Sequence, residues 1–190
     1  MSTATLPRKN AKTKLLTIDQ FLDQYGERPA DLIRGTVVEY DMPGFQHGRL
    51  CFQAAKLIDE FVTKKKLGRI VTNDTHVQIE RGPDTARGMD VCYISFQRLP
   101  ATLDPERALE IAPELVVEVR SPTDRWKGVL EKVIDHMNIG VDVVMVLDMK
   151  TTSITVFRQD EGQVTFSSKE KLVLSDILPG FAVPVAKFFE

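Results

Sequence analysis

Two acidic residues stand inside runs that otherwise read as buried strands. In PELVVEVRS the alternation of a strand sets Leu115, Val117 and Val119 on one face and Val116, Glu118 and Arg120 on the other. Glu118 therefore points inward among valines, where an ionised carboxylate is costly unless a metal, an Arg or a Lys meets it. In GMDVCYISF the same parity groups Asp90, Cys92 and Ile94, with Asp90 where the strand leaves its turn. If the two strands are neighbours in suitable register, Asp90 and Glu118 converge on one hard cation, magnesium or manganese, with water completing the shell. The competing reading pairs Glu118 with Arg120 or another cation as a buried ion pair and leaves Asp90 as a turn cap.

A cationic partner is available further along. At about 100° per residue the helix after Ser121 gathers Trp126, Val129, Leu130, Val133, Ile134 and Met137 on an apolar face, with Arg125, Lys132 and His136 along its flank. A short loop joins this helix to the Glu118 strand, so Lys132 can overhang the carboxylates and reach a water or a phosphate; otherwise it is a solvated lysine beside Glu131. His47 opens an earlier helix after a Pro-Gly turn, where free N–H groups favour anions, and is a candidate phosphate contact or a plain surface histidine. His76 is expected to be half-exposed and without a role. The run Lys64-Lys65-Lys66 with Arg69 is a local basic patch or a solvated helix end. There is no glycine-rich phosphate loop, GxSxG, HExxH or CxxC, so dinucleotide, P-loop, α/β-hydrolase and zincin chemistries lose their support.

The elements that must position these residues follow from the pattern. Hydrophobic residues are 43% and charged ones 27% of 190, which excludes a disordered chain. Lys plus Arg number 25 against 27 Asp plus Glu, so any pull on a polyanion is local. The two cysteines, Cys51 and Cys92, lie in apolar runs and read as small core residues. The longest apolar run, Val143 to Leu147, falls far short of the roughly 18 residues of a membrane span. With no secretory pattern at the start, a cytoplasmic, non-membrane protein is expected. Residues 1–15 read as a flexible basic tail and 16–190 as one domain. A lead helix runs from Thr17 as N-cap to Gly26, and a hairpin covers DLIRGTVVEY. A long helix from His47 to Lys66 is stopped by Gly68. Three strands follow, then a helix capped by Thr123 or Asp124 and closed by Gly140, a fourth buried strand from Val141, a second hairpin, and a Pro-punctuated cover. The fold class is α/β (α+β), its core ordered helix, three strands, helix, strand, with added hairpins.

The segments DLIRGTVVEY, PGFQHGRL, MDVCYIS, PELVVEVRSPTDR, LEKVIDHMNIGV and LPGFAVPV together resemble the Uma-two family of restriction-endonuclease-like proteins over about residues 17–190. That family falls in the PD-(D/E)XK nuclease superfamily, whose core order is the one read above: a mixed sheet flanked by helices. The resemblance implies a divalent-metal-dependent endonuclease cutting DNA, with Asp90 and Glu118 holding magnesium or manganese. It also implies a catalytic Lys132, transferred to the helix from the strand position that Arg120 occupies here, and family matches at Asp31 and His47 as substrate contacts. A homodimer is compatible with cutting both strands. The chain departs from the family at Met89 for Pro, Arg120 for an aliphatic residue and His136 for Tyr. Those departures define the rival expectation, a nucleic-acid-binding or assembly module with a degenerate site; a small phosphate-ester hydrolase is a third.

Overall fold

The computed structural model describes residues 15–121 and 124–190. The tail expected over 1–15 lies, except for Leu15, outside them, as does Thr123, one of the two expected helix caps. Helix α1, Ile18–Tyr25, begins with a reciprocal cap: Thr17 Oγ1 accepts from the Gln20 amide at 3.3 Å and Gln20 Oε1 accepts from the Thr17 amide at 3.2 Å. Thr17→Ala is expected to cost about 1 kcal/mol, read as a shift in urea midpoint at unchanged slope.

Strands β1, Ala30–Ile33, and β2, Thr36–Glu39, form a hairpin whose two turn residues, Arg34 and Gly35, both have positive φ, the backbone that twists correctly into the flanking strands. Helix α2, Phe45–Lys65, stops at Lys66, which takes the left-handed conformation at φ 56°. The expected stop, Gly68, instead opens strand β3, Gly68–Glu80. Next come β4, Thr85–Ser95, β5, Leu115–Arg120, helix α3, Trp126–Asn138, and β6, Val143–Asp148. The second hairpin is β7, Ser153–Arg158, with β8, Gly162–Ser167. A small ribbon of β9, Lys171–Val173, and β10, Ala182–Pro184, precedes a final 3-10 turn.

The main sheet runs β2-β1-β4-β5-β6-β7-β8, with β3 paired to β4. Only β5 and β6 pair in parallel among the described strands, and α3 is the crossover such a pair requires. On one sheet face Ala54, Ile58 and Val62 of α2 pack on Val91, Val117 and Met145, covered at the end by Phe181, Val185 and Phe188. On the other, Val129 and Val133 of α3 meet Cys92, Val116, Val144 and Val146. The strand parity read from the sequence thus holds. A third cluster seats Phe21 against Ala30, Leu32 and Ala86. His76 belongs beside it: the residue is buried, its Nε2 lies 2.9 Å from the Ala30 carbonyl oxygen and its ring meets Phe21 edge-on, so the expected half-exposure is corrected. No helix among the described residues is long and apolar enough to cross a membrane.

Candidate active site

Strand β4 has β3 along one edge for its whole length, while its other edge is shared by two strands that do not meet. It pairs with β5 through Val91↔Val117, Cys92↔Val116 and Tyr93↔Leu115, and with β1 only at Leu32↔Ala86. Residues 87–90 therefore face a gap, and side-chain carboxylates replace the missing ladder. Asp31 Oδ1 accepts from the Gly88 amide at 2.9 Å, and Asp90 Oδ2 accepts from the Val119 amide at 2.6 Å. By extending the register one residue past Val91↔Val117, Asp90 stands opposite Glu118. A cavity of about 1000 Å³ opens over this gap, floored by Asp90, Glu118 and Asp74 and walled by Tyr40, His47 and α3.

Glu118 is 5% exposed. Its Oε2 lies 3.1 Å from Lys132 Nζ and its Oε1 3.2 Å from His136 Nε2. Burial alone would push its carboxyl up; Lys132 and then His136 outweigh that and hold it below the ordinary range. Burial works against the charge on Lys132, but Glu118, Asp31 and Asp90 raise it, so the side chain is a fixed ammonium. The buried ion pair at Glu118 is made by Lys132 and not by Arg120. Its guanidinium reaches Asp148 on β6 at 2.6 Å and the Asp124 carbonyl at 3.1 Å, and stacks over Trp126 at 4.9 Å. Arg120 is thereby committed to the loop before α3, and Lys132 is the cation at Glu118.

The helix phase also differs from expectation. Val129, Val133 and His136 are the buried residues of α3, while Ile134 is 56% exposed. The sheet beneath is polar at Glu118, so the flank bearing Lys132 and His136 turns inward. With His136 Nε2 donating to Glu118, its buried Nδ1 has no partner. Asp124 does not cap the helix: the N-cap is Arg125, without a side-chain bond, and Asp124 Oδ2 accepts from the Ser121 amide at 2.7 Å.

His47 Nε2 lies 3.3 Å from Asp90 Oδ2. Burial would lower its pKa, but the hydrogen bond and charge of Asp90 raise it. Asp31 is buried with both oxygens engaged, Oδ1 by Gly88 and Oδ2 by Arg87 Nη1 at 3.0 Å, so it offers no free oxygen to a substrate as first expected. Arg87 also holds Asp135 of α3 at 2.9 Å, tying the hairpin to the helix beside the cavity. The basic run contributes nothing here: Lys65 binds the Pro179 carbonyl and Arg69 binds Asp104.

Three residues in or beside the cavity, Asp74, Tyr40 and Cys51, were not legible as site residues. Asn73 and Asp74 both take positive φ at a bulge between Thr72 and Thr75, which turns the Asp74 carboxylate toward Asp90. Burial and the Asp90 charge push Asp74 up to about 6 against the pull of Lys132. An Asn-Asp pair inside a strand-like run was the available signal. Tyr40, its hydroxyl buried without a partner, sits with its ring 5.7 Å from Lys132 Nζ, and burial followed by Asp31 and Asp74 raises its pKa. Cys51, read as a core residue, is half-buried with Sγ 3.4 Å from His47 Nδ1. Donor atoms of His47, Cys51 and Asp90 all lie within 4.8 Å of one another, a cluster that can hold a divalent cation; Glu118 is not part of it.

Known proteins resemble the chain in family sequence and in fold. The family model described as "Uma2: Putative restriction endonuclease" matches residues 18–186. Among solved structures, a "putative nuclease belonging to DUF820" from Anabaena variabilis superposes with a TM-score of 0.79 at 17% identity, covering 92% of this chain and 97% of that one, a likeness of fold: a restriction-endonuclease-like mixed sheet flanked by helices. No curated protein matches the chain.

Proposed function

The chain belongs to the Uma2 (Uma-two) family, and on that premise we propose that it is a divalent-metal-dependent endonuclease hydrolysing DNA phosphodiester bonds in the cavity over the β4–β5 gap. The observation that carries this reading is the ammonium of Lys132 held 3.1 Å from Glu118, on the strand directly opposite Asp90. The donor set suits a hard cation: burial first, then the neighbouring Asp90 charge, raise Asp74 to about 6, and magnesium or manganese would relieve the part that is surplus negative charge. Asp90 and Glu118 would hold it, with Asp74 beside them. Such a cation supplies Lewis-acid charge to a phosphoryl oxygen and makes water a nucleophile near neutral pH.

The chain's own groups do the rest. Lys132, fixed as an ammonium, donates to a phosphoryl oxygen and offsets its growing charge rather than acting as a base. His47 orients Asp90 and can reach a phosphate. Asp31 and Arg87 position the gap from below, and Arg125 and Lys127 at the cavity wall give the local positive charge that the balance of the whole chain does not. A homodimer would offer two cavities to the two strands of cytoplasmic DNA.

The test is supercoiled plasmid incubated with the purified chain and magnesium or manganese. Nicking that chelation returns to background is expected. Retained plasmid binding without cleavage under any divalent cation would instead favour the non-catalytic module, for which the Lys132 and His136 neutralisation of Glu118 is sufficient without metal.

A further inference from the structure

Helix α2 carries a second donor beside the cavity, against His47, that phosphodiester hydrolysis does not use. His47 and Cys51 are four residues apart, hence on one helix face, with Sγ 3.4 Å from Nδ1; Asp90 Oδ2 stands 3.3 Å from Nε2. In a tetrahedral site with bonds of about 2.0–2.3 Å, ligand atoms lie roughly 3.3–3.7 Å apart. The two short separations, to Sγ and to Oδ2, run to opposite nitrogens of the His47 ring. One cation meets all three donors once the imidazole turns a single nitrogen toward both, a rearrangement within reach because the three donors lie within 4.8 Å of one another. Magnesium gains nothing from a thiol, whereas zinc and cobalt favour sulfur and imidazole. Burial first, then the charges of Asp90, Asp74 and Glu118, disfavour a bare thiolate at Cys51, so it is unsuited to nucleophilic or redox work on its own. A cation that replaces the thiol proton removes that obstacle.

We propose that His47, Cys51 and Asp90 form a site for a thiophilic divalent cation of the zinc class, and that its occupancy withdraws Asp90 from the magnesium site and stops cleavage. The inhibitory half rests on the nuclease reading above; the site itself does not. Binding releases protons: Cys51 Sγ–H loses one to buffer as the sulfur–metal bond forms, His47 gives up a second wherever it is imidazolium and then supplies one ring nitrogen, Asp90 supplies one oxygen, and water completes the shell.

The metal-stripped full chain titrated with cobalt(II) is the deciding experiment. A near-ultraviolet sulfur-to-cobalt band saturating at one equivalent and displaced by zinc is expected. Cys51→Ala should lose it, and Cys92→Ala, whose thiol is buried between β4 and the α3 cluster, should keep it. Outer-shell partners alone are worth about 10–100-fold in metal affinity, so loss of the sulfur should weaken zinc at least that much, seen also as loss of the zinc-induced rise in melting temperature. Cys51→Ser gives the same comparison if the Ala variant folds poorly. Absence of the band in the wild type, or its survival in both Cys51 variants, overturns the site. Separately, zinc should suppress magnesium-dependent nicking by the wild type and spare Cys51→Ala. Nicking that zinc leaves unchanged beside a clear cobalt band overturns the inhibition alone, whereas a chain that never nicks under any cation sinks the nuclease reading while the cobalt spectrum still decides the site.

Discussion

Glu118→Gln should lower plasmid nicking by about 10²–10³-fold and destabilise the metal-free fold by about 3–5 kcal/mol. Both effects have one origin. The substitution preserves shape but removes the buried charge that faces Lys132 at 3.1 Å and His136 at 3.2 Å. The amide oxygen of Gln can still accept from Lys132, yet the ammonium loses its counter-ion and the amide N–H group opposes the His136 nitrogen. Lys132→Met fails in the mirror sense, leaving a carboxylate that is 5% exposed with only His136 to meet it. The double variant removes both charges, so its cost should fall short of the summed single costs by about 2 kcal/mol. Urea melts in chelator measure the stabilities and single-turnover nicking measures the catalytic loss. Strictly additive melts would mean the two groups do not share a low-dielectric pair. Wild-type nicking by Glu118→Gln would remove Glu118 from the active site.

That pair also shows why part of the site could be read in the sequence and part could not. Strand parity grouped Glu118 with Val116 and Asp90 with Cys92, but that these are the same sheet face follows from the Cys92↔Val116 register, which the sequence left open. Helix phase was less informative: Leu130, Ile134 and Met137 looked like the buried side of α3, but the surface that receives the helix contains a carboxylate, and Lys132 and His136 take the inner positions. Tertiary electrostatics overrode the apolar stripe. Asp74 reaches the cavity only through a bulge in β3, and Cys51 comes beside His47 and Asp90 only through the approach of α2 to the end of β4, neither of which has a local signature strong enough to predict. Arg120 was ambiguous from spacing, since it follows Glu118 by two and shares its face; its pairing with Asp148 depends on the parallel register with β6. The metal donors are thus local facts, while their partners are facts of register.

Gly68 is the other place where sequence and structure assign different reasons to one residue, and it carries the second large effect. Gly68→Ala should cost about 3 kcal/mol, a fall in melting temperature of roughly 6–12 °C for a chain of this size. Helix α2 does not need this glycine, because Lys66 already makes the left-handed stop. What needs it is the close approach of β3 to β4: a Cβ at Gly68 would stand 2.2 Å from the Ile94 carbonyl oxygen and 2.7 Å from the Ser95 Cα. These are backbone atoms of a strand buried on both faces, so no rotamer change relieves the overlap, and β3 must shift against β4 at the Gly68↔Ser95 pair. Gly128 in the exposed first turn of α3 is the control. A Cβ there meets nothing within 4 Å, and Gly128→Ala should stabilise by about 0.5–1 kcal/mol through helix propensity. Opposite signs at the two positions in parallel thermal melts would locate the constraint at the strand crossing; a neutral Gly68→Ala would mean β3 enters the sheet less closely than the Ile94 contact requires. The same shift would propagate along β3 toward the Asp74 bulge, so the Gly68 variant should lose nicking activity even at temperatures where it remains folded, whereas a purely global loss of stability would leave the folded fraction fully active.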